Sequence, residues 1–149
     1  MKRLFFALVA IIATTLSLTS CDKERETAID FSELPASAQA TIIEHFDMDD
    51  IMLIIYDKEL LDKGYSVMFF DGTVVEFNKS GSWESVESSV TGVPTTILLS
   101  QIATYLATNY PDALVLEIDK DNNGYDVRLD NLIELEFNLS GVLVGVDMD

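Results

Sequence analysis

Gly124-Tyr125-Asp126-Val127-Arg128-Leu129-Asp130-Asn131-Leu132-Ile133-Glu134-Leu135-Glu136-Phe137-Asn138 is the stretch that decides the fold. Its side chains alternate with period two, as in strands that have one wet face. Tyr125, Val127 and Leu129 point one way, and Asp126, Arg128 and Asp130 the other. After the turn signal Asp130-Asn131, Ile133, Leu135 and Phe137 oppose Glu134 and Glu136. This is a hairpin with an apolar face for a helix and a charged face for water. The same text stands sixty residues earlier: Gly64-Tyr65-Ser66-Val67, the turn signal Asp71-Gly72, Glu76-Phe77-Asn78, and Ser80-Gly81 for Ser140-Gly141.

Working outward, Leu34-Pro35 answers Val93-Pro94 at offset 59, Asp57-Lys58 answers Asp119-Lys120 at 62, and Phe46-Asp47 answers Tyr110-Pro111 at 64. The changing offsets place insertions in the second helix and in two loops, where they cost little. Pro35 and Pro94 suit a first helical turn. Ala38, Ile42 and Phe46, then Leu99, Ile102, Ala103, Leu106 and Tyr110, recur at helical spacing. Expected strands are 51–56, 65–70, 74–77 and 83–87, then 113–118, 125–129, 133–137 and 142–146. The fold class is α+β: two tandem α-β-β-β-β repeats, residues 31–87 and 93–149 joined by the linker 88–92, in an antiparallel sheet with the helices packed on one face.

The chain has 149 residues, 9 basic and 26 acidic, for a net charge of −17. With 48% hydrophobic residues it can bury a core and is no disordered acidic tail. Its acidity excludes nucleic-acid binding, which needs clustered Lys and Arg. A single Cys excludes an internal disulfide framework and a Cys-based zinc cluster.

Residues 1–20 read as a signal peptide: Lys2 and Arg3, an apolar run, then Leu18-Thr19-Ser20-Cys21, which resembles the lipobox of bacterial lipoproteins. Lipidation falls on Cys21, and 21–30 is an acidic tether. A secretory signal with a chance Cys, or a membrane anchor, is the alternative, though the run is shorter than the ~20 residues of a spanning helix. All acids follow Cys21 and two bases precede it, so residues 21–149 carry −19. Anionic headgroups would repel such a body, so acyl chains hold it to the membrane. The expected location is the cell envelope, at the periplasmic face of the outer membrane or the cell surface.

Leu34-Pro35, a helix ending at Phe46, Gly64-Tyr65, Asp71-Gly72, Glu76-Phe77 and Ser80-Gly81-Ser82-Trp83 together resemble the PepSY-like domain family, in the tandem form found in envelope proteins of Bacteroidetes. Val93-Pro94, Asn109-Tyr110-Pro111, Gly124-Tyr125, Phe137 and Gly141 carry the second match. The resemblance implies a helix-on-sheet fold similar to that of beta-lactamase inhibitory protein. It also implies binding rather than chemistry, with restraint of an envelope peptidase as the family-level expectation; fold alone does not transfer function.

Catalytic constellations are missing. His45 is the only His and reads as a surface residue near a helix end; no Gly-x-Ser-x-Gly elbow or phosphate-binding Gly loop is present. The chain is expected not to be an enzyme and to need no cofactor. Asp119-Lys120-Asp121-Asn122-Asn123-Gly124 matches the first half of an EF-hand loop, but a strand at ~3.3 Å per residue carries Asp130 out of reach. A looser calcium site on Asp119, Asp121 and Asn123 stands against an ordinary Asx-rich turn.

The two copies differ on the wet face. Asp126, Arg128, Asp130 and Glu134 have Ser66, Met68, Phe70 and Val74 sixty positions earlier, and Glu117 has Ile55 at offset 62. Ile51, Leu53, Ile55, Met68, Phe70 and Val74 would form an apolar patch larger than a monomer usually exposes. Three occupants suit it: the segment 22–33 with Ile29 and Phe31, a second copy in a homodimer, or an envelope protein partner. The functional expectation is a lipid-anchored protein-binding module, with a calcium-responsive protein as the alternative.

Overall fold

The computed structural model of the protein describes residues 26–58 and 64–148. The expected signal peptide, the expected lipidation site Cys21, the first residues of the expected tether and residues 59–63 lie outside the described residues. The chain runs β1 (Glu26–Ala28), α1 (Ala36–His45), β2 (Ile51–Asp57), β3 (Gly64–Phe69), β4 (Val74–Asn78), β5 (Trp83–Glu87), α2 (Ser100–Asn109), β6 (Val115–Lys120), β7 (Gly124–Leu129), β8 (Ile133–Asn138) and β9 (Leu143–Met148). Short 3-10 turns stand at Phe31–Glu33, Met48–Asp50 and Thr95–Ile97. The nine described strands form one antiparallel sheet whose spatial order is the order of sequence. The fold is α+β.

Both helices bury one stripe against one face. α1 contributes Ala38 and Ile42, and α2 contributes Ile102 and Leu106, four residues apart in each. They meet a row of directly opposed residues, Ile54, Val67, Val75, Val86, Ile118, Val127 and Leu135, all buried. Phe46 stacks on Phe69 at 5.1 Å, and Tyr105 meets Phe137 edge-on at 5.4 Å. Gly81 and Gly141, at φ 81° and 74°, turn the chain beneath the two helices. A Cβ would stand 2.6 Å from Pro35 Cβ at the first and 2.8 Å from Gln101 Cβ at the second, so both turn and close approach need glycine.

Three expectations change. Each helix is ten residues long, so no insertion lies within the second. The 3-10 turn, helix and first long strand of the two halves correspond at offset 64, while the hairpins that follow correspond at 60. The four-residue difference therefore falls between β2 and β3, and Leu34-Pro35 stands opposite Leu98-Leu99. Pro94 precedes the 3-10 turn Thr95–Ile97 rather than α2. Finally, the described part of the chain ahead of α1, from Glu26 on, does not cover the outer face. It adds β1 beside β2, Ile29 N donates to Ile54 O at 3.0 Å, and Ile29 and Phe31 pack against the core.

The joint between the halves is pinned by polar side chains. Thr73 and Ser88 are buried and hydrogen-bonded at 2.9 Å; Ser88 meets Thr91 at 3.0 Å, and Thr91 donates to Asp71 at 2.9 Å. These bonds satisfy hydroxyls that would otherwise be costly to bury.

Candidate functional site

The outer face, away from the helices, is organised as two rows of directly opposed residues. One runs Leu53, Met68, Val74, Glu87, Glu117, Arg128, Glu134, Asp147. The other runs Ile55, Ser66, Glu76, Ser85, Asp119, Asp126, Glu136, Gly145. Their β2–β4 end is mainly apolar and their β5–β8 end is charged.

Four of the six residues expected in the apolar patch meet here: Leu53, Ile55, Met68 and Val74, each half-buried. Ile51 does not. A bulge between Ile51 and Leu53 places Ile51 opposite Phe69, where it packs on the core; the extra residue reverses the alternation at that point. Phe70 also leaves the rows. It sits in the turn after β3, its N–H donating to Asp50 O at 2.9 Å, with its side chain exposed. The offset of 64 pairs Leu53 with Glu117 and Ile55 with Asp119, so the pairing of Ile55 with Glu117 is replaced.

At the other end like charges face each other. Asp119 stands opposite Asp126, and Asp126 opposite Glu136, an arrangement that costs stability. Partial burial, then Glu136 and Glu134, push the Asp126 carboxyl up to about 6. Burial and then Asp119 raise Glu76; burial raises Asp119 although a hydrogen bond with Ser85 opposes it. Arg128 answers part of this charge, with Nε 2.8 Å from Glu117 Oε2. Glu76, Asp126 and Glu136 were missed as site residues. Alternation placed the last two on the wet face, but the opposition needed the strand register.

The hairpin set Asp119, Asp121 and Asn123 is not gathered around one point. Asp121 Oδ1 accepts from Asn123 N at 2.7 Å and Gly124 N at 3.0 Å, closing an Asx turn, while Asp119 lies on the sheet face. Among the described residues no group of three or more His, Cys, Asp or Glu has metal-holding geometry. His45 is partly buried rather than freely exposed: its side chain is 14% exposed, with Nδ1 3.1 Å from Thr96 Oγ1. It joins α1 to the turn ahead of α2.

Two helices on one face of a long antiparallel meander, with a patterned opposite face, define an α+β module built around surfaces. The chain belongs to the PepSY-like family: the family model described as "Putative beta-lactamase-inhibitor-like, PepSY-like" matches residues 63–144. It is similar to the crystal structure of a "putative calcium-regulated periplasmic protein" from Bacteroides thetaiotaomicron, with 40% identity and a TM-score of 0.76 over 82% of this chain and 96% of that one. A "putative periplasmic protein from DUF2874 family" from Bacteroides vulgatus shares 32% identity, TM-score 0.75, over 85% of this chain and 99% of that one. A "putative periplasmic protein of unknown function" from the same species shares 27%, TM-score 0.73, over 82% of this chain and 98% of that one. No curated protein matches the chain. Among the described residues no helix is long and apolar enough to cross a membrane.

Proposed function

We infer that this chain is a non-catalytic periplasmic binding module, lipid-anchored through Cys21, that works by protein contact on its outer sheet face. It consists of two copies of an α-β-β-β-β unit, residues 31–87 and 93–149, whose outer faces have diverged. The observation that carries this reading is the division of the two rows into an apolar end at Leu53, Ile55, Met68 and Val74 and an acidic end around Asp126. Buried positions kept their character in both halves while the outer face of one became apolar, a pattern that packing of the helices does not require. An envelope peptidase restrained by the module is the partner class that the family resemblance suggests. The test is the double variant Met68→Glu, Val74→Glu: it should keep the far-UV spectrum and lose partner capture. Retained capture contradicts the reading.

The opposed carboxylates Asp119, Asp126 and Glu136, which form no closed metal site, suit a second reading in which calcium screens their charge. The similarity to a protein described as calcium-regulated supports it. Millimolar calcium should then raise Tm, and Asp126→Asn should remove the increase; an unchanged Tm eliminates this reading.

A further inference from the structure

A second surface lies at one end of the sheet, where β2, β4, β6 and β8 begin and β3, β5, β7 and β9 end. Large apolar side chains project there: Met52, Phe70 (70% exposed), Val90, Leu114, Leu132 (68%) and Met148. They come from six different segments, and hydrogen bonds link most of those segments into one rim. Phe70 N donates to Asp50 O at 2.9 Å, Thr91 Oγ1 to Asp71 at 2.9 Å, Val93 N to Val115 O at 2.8 Å, and Asp130 N to Leu114 O at 3.0 Å. Ile133, beside Leu132, is paired with Met148. From β2 to β9 the rim spans seven strand spacings, ~34 Å.

One residue is held there against its own preference. Leu132 has φ 66°, the only non-glycine residue with positive φ among those described, and Gly72 at φ 86° fills the corresponding place in the first half. A left-handed leucine is strained because its Cβ crowds the following carbonyl oxygen, and such strain gathers at functional sites.

The charge around the rim selects its occupant. Asp49, Asp50, Asp71 and Asp130 border it, and Arg128, the described cation nearest to it, is paired with Glu117; Lys58, Lys79 and Lys120 lie at the opposite end of the sheet, among Asp57, Glu84 and Asp121. A second copy would set these aspartates against their equals, and an anionic bilayer would be repelled. β1 enters with Glu26 opposite Asp57, at the far end of the sheet from the rim.

We propose that this rim docks a cationic, apolar protein segment: its leucine-like side chains cover Phe70, Val90, Leu114 and Leu132, and its Lys or Arg side chains meet the bordering aspartates. This surface is separate from the outer-face rows and does not depend on them.

The test uses the full-length protein with a synthetic leucine–lysine amphipathic helix and its leucine–glutamate counterpart. The double variant Phe70→Ser, Leu132→Gly removes rim side chains while relieving the strain at Leu132. Val142→Ser, Val144→Ser removes exposed apolar side chains at the opposite end and serves as control. The expected result is binding of the lysine helix, weakened about tenfold in the rim variant, unchanged in the control, and absent for the glutamate helix. Equal binding by rim variant and wild type overturns the proposal, as does equal loss in the control. So does a wild-type protein that ignores the lysine helix but self-associates, or floats with phosphatidylcholine vesicles, through Phe70 and Leu132.

Discussion

Asp119 and Asp126 face each other directly across β6 and β7, two carboxylates paired where a sheet ordinarily sets unlike or neutral partners. Glu136 continues the line on β8. This acidic row is stability given up, and its counterpart on β2 and β3, Ile55 and Ser66, shows that the fold does not need it.

Stability should therefore depend on Asp126. Its pKa in the folded protein, about 6, lies above the ordinary 3.8. The folded state thus holds this proton more tightly than the unfolded state, and its contribution is fully present below the ordinary value. It is lost as pH rises through about 6. Asp126→Asn should raise stability at pH 7 by about 1 kcal/mol, after allowance for solvent screening, and flatten the decline of Tm over that window. Denaturant melts at neutral pH check the first, and thermal melts from the acidic range up to neutral pH check the second.

Leu132→Gly should stabilise the protein by about 1 kcal/mol, because it places a residue without a Cβ at a left-handed position. The converse change, Gly72→Leu, should destabilise by about 1–2 kcal/mol. Both are read from urea midpoints at constant slope.

β3 and the turn that follows it should respond differently to charge. Val67→Asp buries a carboxylate in a fully enclosed position and should unfold the protein. Phe70→Asp changes an exposed turn residue and should shift stability by less than about 0.5 kcal/mol. Circular dichroism of the two variants separates them.

Much of this was legible in the sequence. Period-two alternation through Tyr125–Phe137 gave the hairpins and their buried face, and the recurrence of Gly64-Tyr65 at Gly124-Tyr125 gave the second copy of the pattern. What failed has a common cause in register. A bulge at Ile51/Leu53 reverses one residue without leaving a compositional mark, so Ile51 was assigned to the wrong face. The loop between β2 and β3 is longer than its counterpart, and motif matching spread that single insertion over several offsets. β1 is three residues long and too short to show periodicity. The opposition of Asp119, Asp126 and Glu136 is a property of pairing between strands, and composition along one strand does not express it.

Cys21 should govern processing of the precursor. Cys21→Ser should abolish radiolabelled acyl incorporation and leave an unprocessed chain. Release of that variant at the normal mature size would show that the segment ahead of Cys21 is an ordinary secretory signal.

The outer face as the working face is tested most directly by site-specific photocrosslinking in native envelopes. A photoreactive residue would replace Met68 on the outer face, with a second probe at Thr104 on α2, on the helix side of the sheet. The account predicts a discrete crosslinked product from the Met68 position and none from Thr104. A product from Thr104 alone, or no product from Met68 in a folded protein, would contradict it.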